Sequence, residues 1–210
     1  MQAEGLHYKA NIGNPAALWF VQNISRTYHR RRLPHYYPPG AILFITWRLF
    51  GTLPLAVATG SPDDGIRFVE EDRMLDRVTS GPAWLRDARI SAVVARALEL
   101  GDRDYGLYEL IAWAIMPNHV HIVIRPKVEL PKLTRWLKGS TAHDANEVLR
   151  RTGNPFWQYE SYDHCVRNSD ELSRIIKYVE RNPVRAGLAA SIETWPWSSA
   201  FTGDAPFRTD

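Results

Sequence analysis

The sequence predicts an α+β domain: a central, mainly antiparallel sheet covered by helices. Three observations predict it. Strand-like apolar runs at 41–49, 107–116 and 119–124 alternate with segments of helical periodicity. The second and third runs are separated only by Pro117-Asn118, most simply a tight antiparallel pair, or one strand with a bulge. The chain has 210 residues, 45% apolar and 23% charged, which suits one domain with a real core and excludes a disordered or fibrous chain.

Residues 1–40 lack periodicity and hold the run His29-Arg30-Arg31-Arg32 and the turn-rich His35–Gly40, so they read as a basic N-terminal arm. Ala41–Leu49 is rich in β-branched and aromatic residues and reads as a buried strand closed by Gly51 and Pro54. Residues 55–65 read as a loop, and Ile66–Val78 has helical spacing through Phe68, Met74, Leu75 and Val78. Asp87–Leu100 is a stronger helix, with Asp87 as N-cap, Ile90, Val93, Val94, Ala97 and Leu98 on one face and Gly101 as the stop. Leu130–Arg150 is a helix with a possible break at Gly139, and Phe156–Val166 is aromatic and extended. In Ser169–Arg181, Leu172, Ile175, Ile176 and Val179 fall at i, i+3, i+4 and i+7, Asn168 with Glu171 suggests a capping box, and Pro183 ends the helix. The expected organisation is the arm 1–40, one domain at 41–200 with an acidic helical insert at about 61–104, and a frayed tail at 201–210.

The net charge is +3, unevenly spread: residues 1–40 carry +4 and residues 61–110 carry −4. Of 26 cations 21 are arginine, a bias compatible with phosphate recognition and equally with a GC-rich genome. The single cysteine, Cys165, forms no internal disulfide, which points to a reducing compartment. No apolar run approaches the roughly 20 residues of a membrane span, and the N-terminus lacks the order of a signal peptide. A soluble cytoplasmic protein with no membrane partner is expected.

The sharpest chemical feature is Met116-Pro117-Asn118-His119-Val120-His121. Residues i and i+2 of a strand share a face, so His119 and His121 project together, as two ligands of a divalent metal or as a pair of structural core histidines. A histidine-triad hydrolase would place a third histidine where Val123 stands, and the chain is short for a metal hydrolase on a large barrel. There is no P-loop, no G-x-S-x-G and no second cysteine for a thiolate cluster. The second feature is Tyr178 and Asn182, four apart on one side of the last helix. Alone, they read as an amphipathic tyrosine and a helix end.

Together, the Pro117-Asn118-His119-Val120-His121 block and the block from Tyr178 through Asn182-Pro183-Val184-Arg185-Ala186-Gly187-Leu188 resemble the HUH single-tyrosine transposases, most closely the REP-associated tyrosine transposases. Leu33-Pro34-His35, Pro39-Gly40-Ala41, Leu137-Lys138-Gly139, Pro155-Phe156-Trp157-Gln158 and Trp195-Pro196-Trp197-Ser198-Ser199 extend the resemblance over roughly residues 30–200. It implies an antiparallel sheet with helices, a ferredoxin-like core, and metal-dependent cleavage and rejoining of single-stranded DNA beside short hairpins. By motif position it implies His119, His121 and Asn182 as ligands of Mg²⁺ or Mn²⁺ and Tyr178 as the nucleophile that forms a 5′-phosphotyrosine. Candidate DNA contacts are Arg30, Arg31, Arg32, Arg135, Lys138, Arg150, Arg151, Arg167 and Arg185 for the backbone. Trp136, Trp157, Trp195 and Trp197 are candidates for stacking on unpaired bases or for core packing. The family contains monomers and helix-swapped homodimers, and the implied location is the bacterial nucleoid. The alternative reading is a domesticated regulator that holds hairpins without cutting them.

Overall fold

The computed structural model describes residues 37–52, 75 and 81–207. The arginine run Arg30–Arg32 and the helix expected at Ile66–Val78, apart from Leu75, lie outside the described residues. The regular elements are β1 (Leu43–Arg48), α1 (Ala88–Arg103), β2 (Tyr108–Ile115), β3 (His119–Pro126), α2 (Leu130–Val148), β4 (Tyr162–Cys165) and α3 (Ser169–Arg185). The sheet runs β2-β3-β1-β4 with every neighbouring pair antiparallel. The first six elements therefore form the β-α-β-β-α-β ferredoxin-like arrangement, and α3 follows it. This is the predicted α+β class.

Strand alternation divides the apolar residues between two faces. Leu43, Ile45 and Trp47 of β1 and Val120, Ile122 and Ile124 of β3 pack with Ile90, Val94 and Leu98 of α1 and Leu130, Leu133 and Leu137 of α2. On the other face, Phe44, Ala112, Ala114 and Val123 pack with Leu172, Ile175, Ile176 and Val179 of α3. Covering on both sides explains why β3 is buried at every position from His119 to Ile124. It also fixes where His119 and His121 go, since they alternate with Val120 and Ile122 and so face α3.

Local features depart from sequence expectation in informative ways. Asp87 caps α1 as predicted, accepting from the Arg89 backbone at 3.0 Å, but the helix continues through Gly101. That glycine is a packing site: a Cβ there would overlap the Tyr108 ring. The Tyr108 hydroxyl donates to the Leu98 carbonyl at 2.8 Å. Gly139 does not break α2. Pro183 does not end α3 either; in the last turn it forfeits one backbone bond, while Ala186 N–H still donates to the Asn182 carbonyl. Asn168 caps α3 as predicted, but the Glu171 carboxylate accepts from the Arg167 backbone and His164 rather than closing the box on Asn168.

In the stretch Phe156–Val166 only Tyr162–Cys165 is strand, and Trp157 makes an isolated bridge to Leu49. Residues 201–207, expected to fray, are instead tied down by Phe207, which is buried against Trp113 and Trp197. The preceding segment lines the free edge of β2: Ile115 N–H donates to the Trp197 carbonyl and Ser199 N–H to the Trp113 carbonyl. No helix among the described residues is long and apolar enough to cross a membrane.

Candidate active site

The site is built on β3, β1 and α3. β3 is a central strand, so its register is held on both sides: His121 lies opposite Thr46 of β1 and Ala114 of β2, and His119 lies opposite Arg48. Both imidazoles are buried, with Nε2 atoms 3.0 Å apart. Each ring is held from behind. His119 Nδ1 is 2.6 Å from Asn118 Oδ1, and His121 Nδ1 is 2.7 Å from Thr46 Oγ1. Phe44 stacks beside His121 with centroids 5.8 Å apart.

From the opposite side, α3 lowers Asn182 onto this pair. Its side chain is fully buried, and Nδ2 donates to His121 Nε2 at 2.9 Å. That bond leaves the His121 Nε2 with a lone pair and makes Nδ1–H the donor to Thr46. One turn back on α3, the half-buried Tyr178 ring stands edge-on to His121 with centroids 6.0 Å apart and to Phe44 at 6.1 Å. Arg185 donates to the Tyr178 hydroxyl at 3.3 Å and its guanidinium lies 4.7 Å from the ring centroid. All of these groups meet within one chain.

The donor set suits a divalent cation. Two donors at right angles on an octahedral ion with bonds of about 2.1 Å stand about 3 Å apart. The observed separations are 3.0 Å between the two imidazole nitrogens and 2.9 Å from Asn182 to His121. Half a turn of the Asn182 amide brings its oxygen, a hard ligand, to the position that Nδ2 occupies. A separate group, His143, Asp144 and Glu147, lies on the outer side of α2 and is no part of this arrangement.

The other sequence-predicted residues are placed elsewhere. Arg135, Lys138, Arg150 and Arg151 lie on or just after α2, whose apolar side packs on the sheet face away from the histidines. Lys138 Nζ donates to the carbonyls of Gln158 and Tyr159, both at 2.7 Å, and to Ser161 Oγ at 3.2 Å. The Arg151 guanidinium lies 3.8 Å from the centroid of the Trp84 ring. Arg167 is exposed just before α3. Of the two readings left open for them, Trp157 and Trp197 take the core one: Trp157 is buried against Trp47 and Phe156 and donates to Thr141 Oγ1 at 2.9 Å. Trp136 is half-buried, edge-on to Tyr105, and Trp195 donates to the Ile115 carbonyl. Among the described basic candidates, only Arg185 reaches the histidine–tyrosine group.

Sequence reasoning missed Thr46 and Arg48. A signal was present: within the apolar run of β1 they are polar at i and i+2, hence on one face, with Phe44 before them. Arg48 sits at the His119 end of that face and donates to Thr52 Oγ1 at 3.1 Å. The buried Tyr108 is no rival to Tyr178. It lies on the other sheet face, and burial together with the Asp102 charge pushes its phenol far above its usual range.

Comparison with known proteins finds similarity to transposases. Residues 97–182 match the family model described as transposase IS200-like. The REP-associated tyrosine transposase of Escherichia coli (strain K12) is 26% identical over 95 residues, covering 44% of this chain and 54% of that one. A putative REP-associated tyrosine transposase of Haemophilus influenzae is 24% identical over 103 residues, covering 44% of this chain and 58% of that one. The chain thus spans just over half the length of the curated relatives that it matches. A solved REP-associated tyrosine transposase bound to a REP hairpin is 18% identical, with a TM-score of 0.48 over 88% of this chain and 94% of that one. The matched segment ends at Asn182 and takes in both histidines and Tyr178, so the family resemblance read from those motifs holds.

Proposed function

We propose that this chain, whose residues 97–182 carry the IS200-like transposase segment, cleaves and rejoins single-stranded DNA beside short hairpins, with Tyr178 as nucleophile and a divalent ion, Mg²⁺ or Mn²⁺, held by His119, His121 and Asn182. The observation that carries this reading is the position of α3: it sets Tyr178 and Asn182, one turn apart, over the facing Nε2 atoms of the histidine pair.

A phosphodiester is an anion and resists an anionic nucleophile. A divalent ion held by His119, His121 and Asn182 would supply neutralisation of the charge that builds on the phosphate. The chain's own groups do the rest. Phe44 and the Arg185 guanidinium hold the Tyr178 ring, so that its hydroxyl enters the reaction oriented. The Tyr178 oxygen bonds to phosphorus, its proton passes to solvent, and the bond to the 3′ oxygen breaks. That oxygen takes up a proton and leaves as a free 3′-hydroxyl. The 5′-phosphotyrosine keeps the energy of the ester, so a second 3′-hydroxyl can displace Tyr178 and reseal a strand without ATP. The relatives named above, one of them solved on a REP hairpin, support hairpin DNA as the partner class. The position of Tyr178 beside His121 of the same chain supports use of its own tyrosine.

The test is a denaturing gel with Mn²⁺ or Mg²⁺, labelled single-stranded hairpins from DNA flanking the gene, and Tyr178→Phe alongside. The expected result is a protein-linked fragment on the 3′ side of the cut that disappears in Tyr178→Phe. Hairpin binding without any adduct would overturn the cleavage reading and favour a non-cutting hairpin binder. An adduct that persists in Tyr178→Phe would move the nucleophile elsewhere.

A further inference from the structure

Leu75, in the acidic stretch whose role the sequence leaves open, lies against the site. Leu75 is buried, and its backbone carbonyl accepts a hydrogen bond from Asn118 Nδ2 at 3.0 Å. That bond decides which way the Asn118 amide faces. With Nδ2 donating to a carbonyl, Oδ1 turns to His119, whose Nδ1 lies 2.6 Å away. An amide oxygen only accepts, so His119 Nδ1 carries the hydrogen and Nε2 presents a lone pair. That Nε2 faces His121 Nε2 at 3.0 Å.

The relay stands on a rigid turn. The Pro117 carbonyl accepts from Leu85 N–H at 3.2 Å and the Asn118 carbonyl accepts from Leu49 N–H at 2.8 Å. Asn118 is 5% exposed, so water is a poor substitute for either of its amide bonds. Leu75, Asn118 and His119 also line one cleft of about 80 Å³, which places Leu75 at the wall of the site.

We propose that Asn118 is a positioning residue that locks His119 in the Nδ1–H tautomer with Nε2 free to bind metal, and that the Leu75 carbonyl holds Asn118 in that orientation. The proposal rests on the functional reading above only in taking His119 Nε2 as a metal ligand. Partners that fix the tautomer of a ligating histidine typically change metal affinity 10–100-fold when removed.

The experiment uses the full chain without metal, labelled with ¹⁵N-histidine, and long-range ¹H–¹⁵N NMR, with His119 assigned by comparison with His119→Ala. Wild type is expected to show Nδ1–H on His119. Asn118→Ala is expected to shift His119 toward Nε2–H and to weaken Mn²⁺ binding, followed by electron paramagnetic resonance, by about 10–100-fold. Asn118→Asp, which keeps an acceptor facing Nδ1, is expected to recover most of that affinity. An Nε2–H tautomer in wild type overturns the proposal, and this readout needs no variant that must fold. Mn²⁺ affinity unchanged in Asn118→Ala, where His119→Ala/His121→Ala loses it, overturns it as well and leaves the metal reading standing. If the double histidine variant binds Mn²⁺ like wild type, the metal reading fails, and the tautomer shift in Asn118→Ala alone decides whether Asn118 positions the ring.

Discussion

Arg185 lies on Tyr178: its guanidinium is 4.7 Å from the ring centroid and one of its nitrogens donates to the hydroxyl at 3.3 Å. The two residues are seven apart on α3, two turns of helix, so the contact follows from helical geometry without any loop. In the proposed reaction, negative charge builds on the tyrosine oxygen as its proton leaves, and a fixed donor there would stabilise that charge. Arg185→Ala is therefore expected to slow adduct formation by about 10²-fold, with hairpin affinity changed far less. Single-turnover cleavage beside a binding titration checks this. An affinity loss that accounts for the whole rate loss would make Arg185 an ordinary backbone contact.

Lys138 has a different place. Its ammonium donates to two loop carbonyls at 2.7 Å and to Ser161 Oγ, which pins residues 158–161 to α2. Lys138→Met removes those bonds and leaves acceptors short of a donor, at a cost of about 1–3 kcal/mol. The expected outcome is a lower urea midpoint with an unchanged salt slope for DNA binding. A phosphate contact would instead show as a slope smaller by about one unit.

These two cations show what the sequence makes legible and what it hides. The spacing of His119 and His121, and of Tyr178 and Asn182, is local: two residues along a strand and four along a helix put side chains on one side. The meeting of the two pairs is not local, because it depends on β3 lying inside the sheet with α3 across it. Thr46 enters the site only through its register opposite His121, 75 residues away. Lys138 reads as a free cation because its partners lie 20 or more residues further on, in a loop with no regular pattern. Trp157 looks like a stacking platform for the same reason: its burial against Trp47 is a long-range fact. Pro183 looks like a helix end because a missing N–H is a local signal, whereas the packing that carries α3 past it is not.

Gly101 gives a stability prediction that separates packing from helix propensity. In an exposed helix, alanine in place of glycine is stabilising by up to about 1 kcal/mol. Here the Tyr108 ring fills the space where a Cβ would stand, and that ring is buried and tied to the Leu98 carbonyl. Gly101→Ala is therefore expected to destabilise by about 1–3 kcal/mol in urea unfolding, the usual cost of overpacking. A stabilised variant would mean that the β2 end of the core yields to the extra methyl.

Glu171 supplies the pH dependence. Its carboxylate accepts from the Arg167 backbone at 2.6 Å and lies 3.1 Å from His164 Nε2. The Arg167 backbone bond, with a smaller contribution from His164, holds its pKa below the ordinary 4.5. A carboxyl whose pKa is lower folded than unfolded stabilises the fold above the unfolded value, and loses that contribution as the pH falls through the folded value. Glu171 also sits in the first turn of α3, where negative charge is favoured. Glu171→Gln is thus expected to melt lower than wild type at neutral pH. The gap should stay constant down to the ordinary carboxylate range near 4.5 and narrow below it. Paired melting curves across that range decide the matter, and a gap that does not depend on pH would assign the effect to lost geometry at the start of α3 rather than to charge.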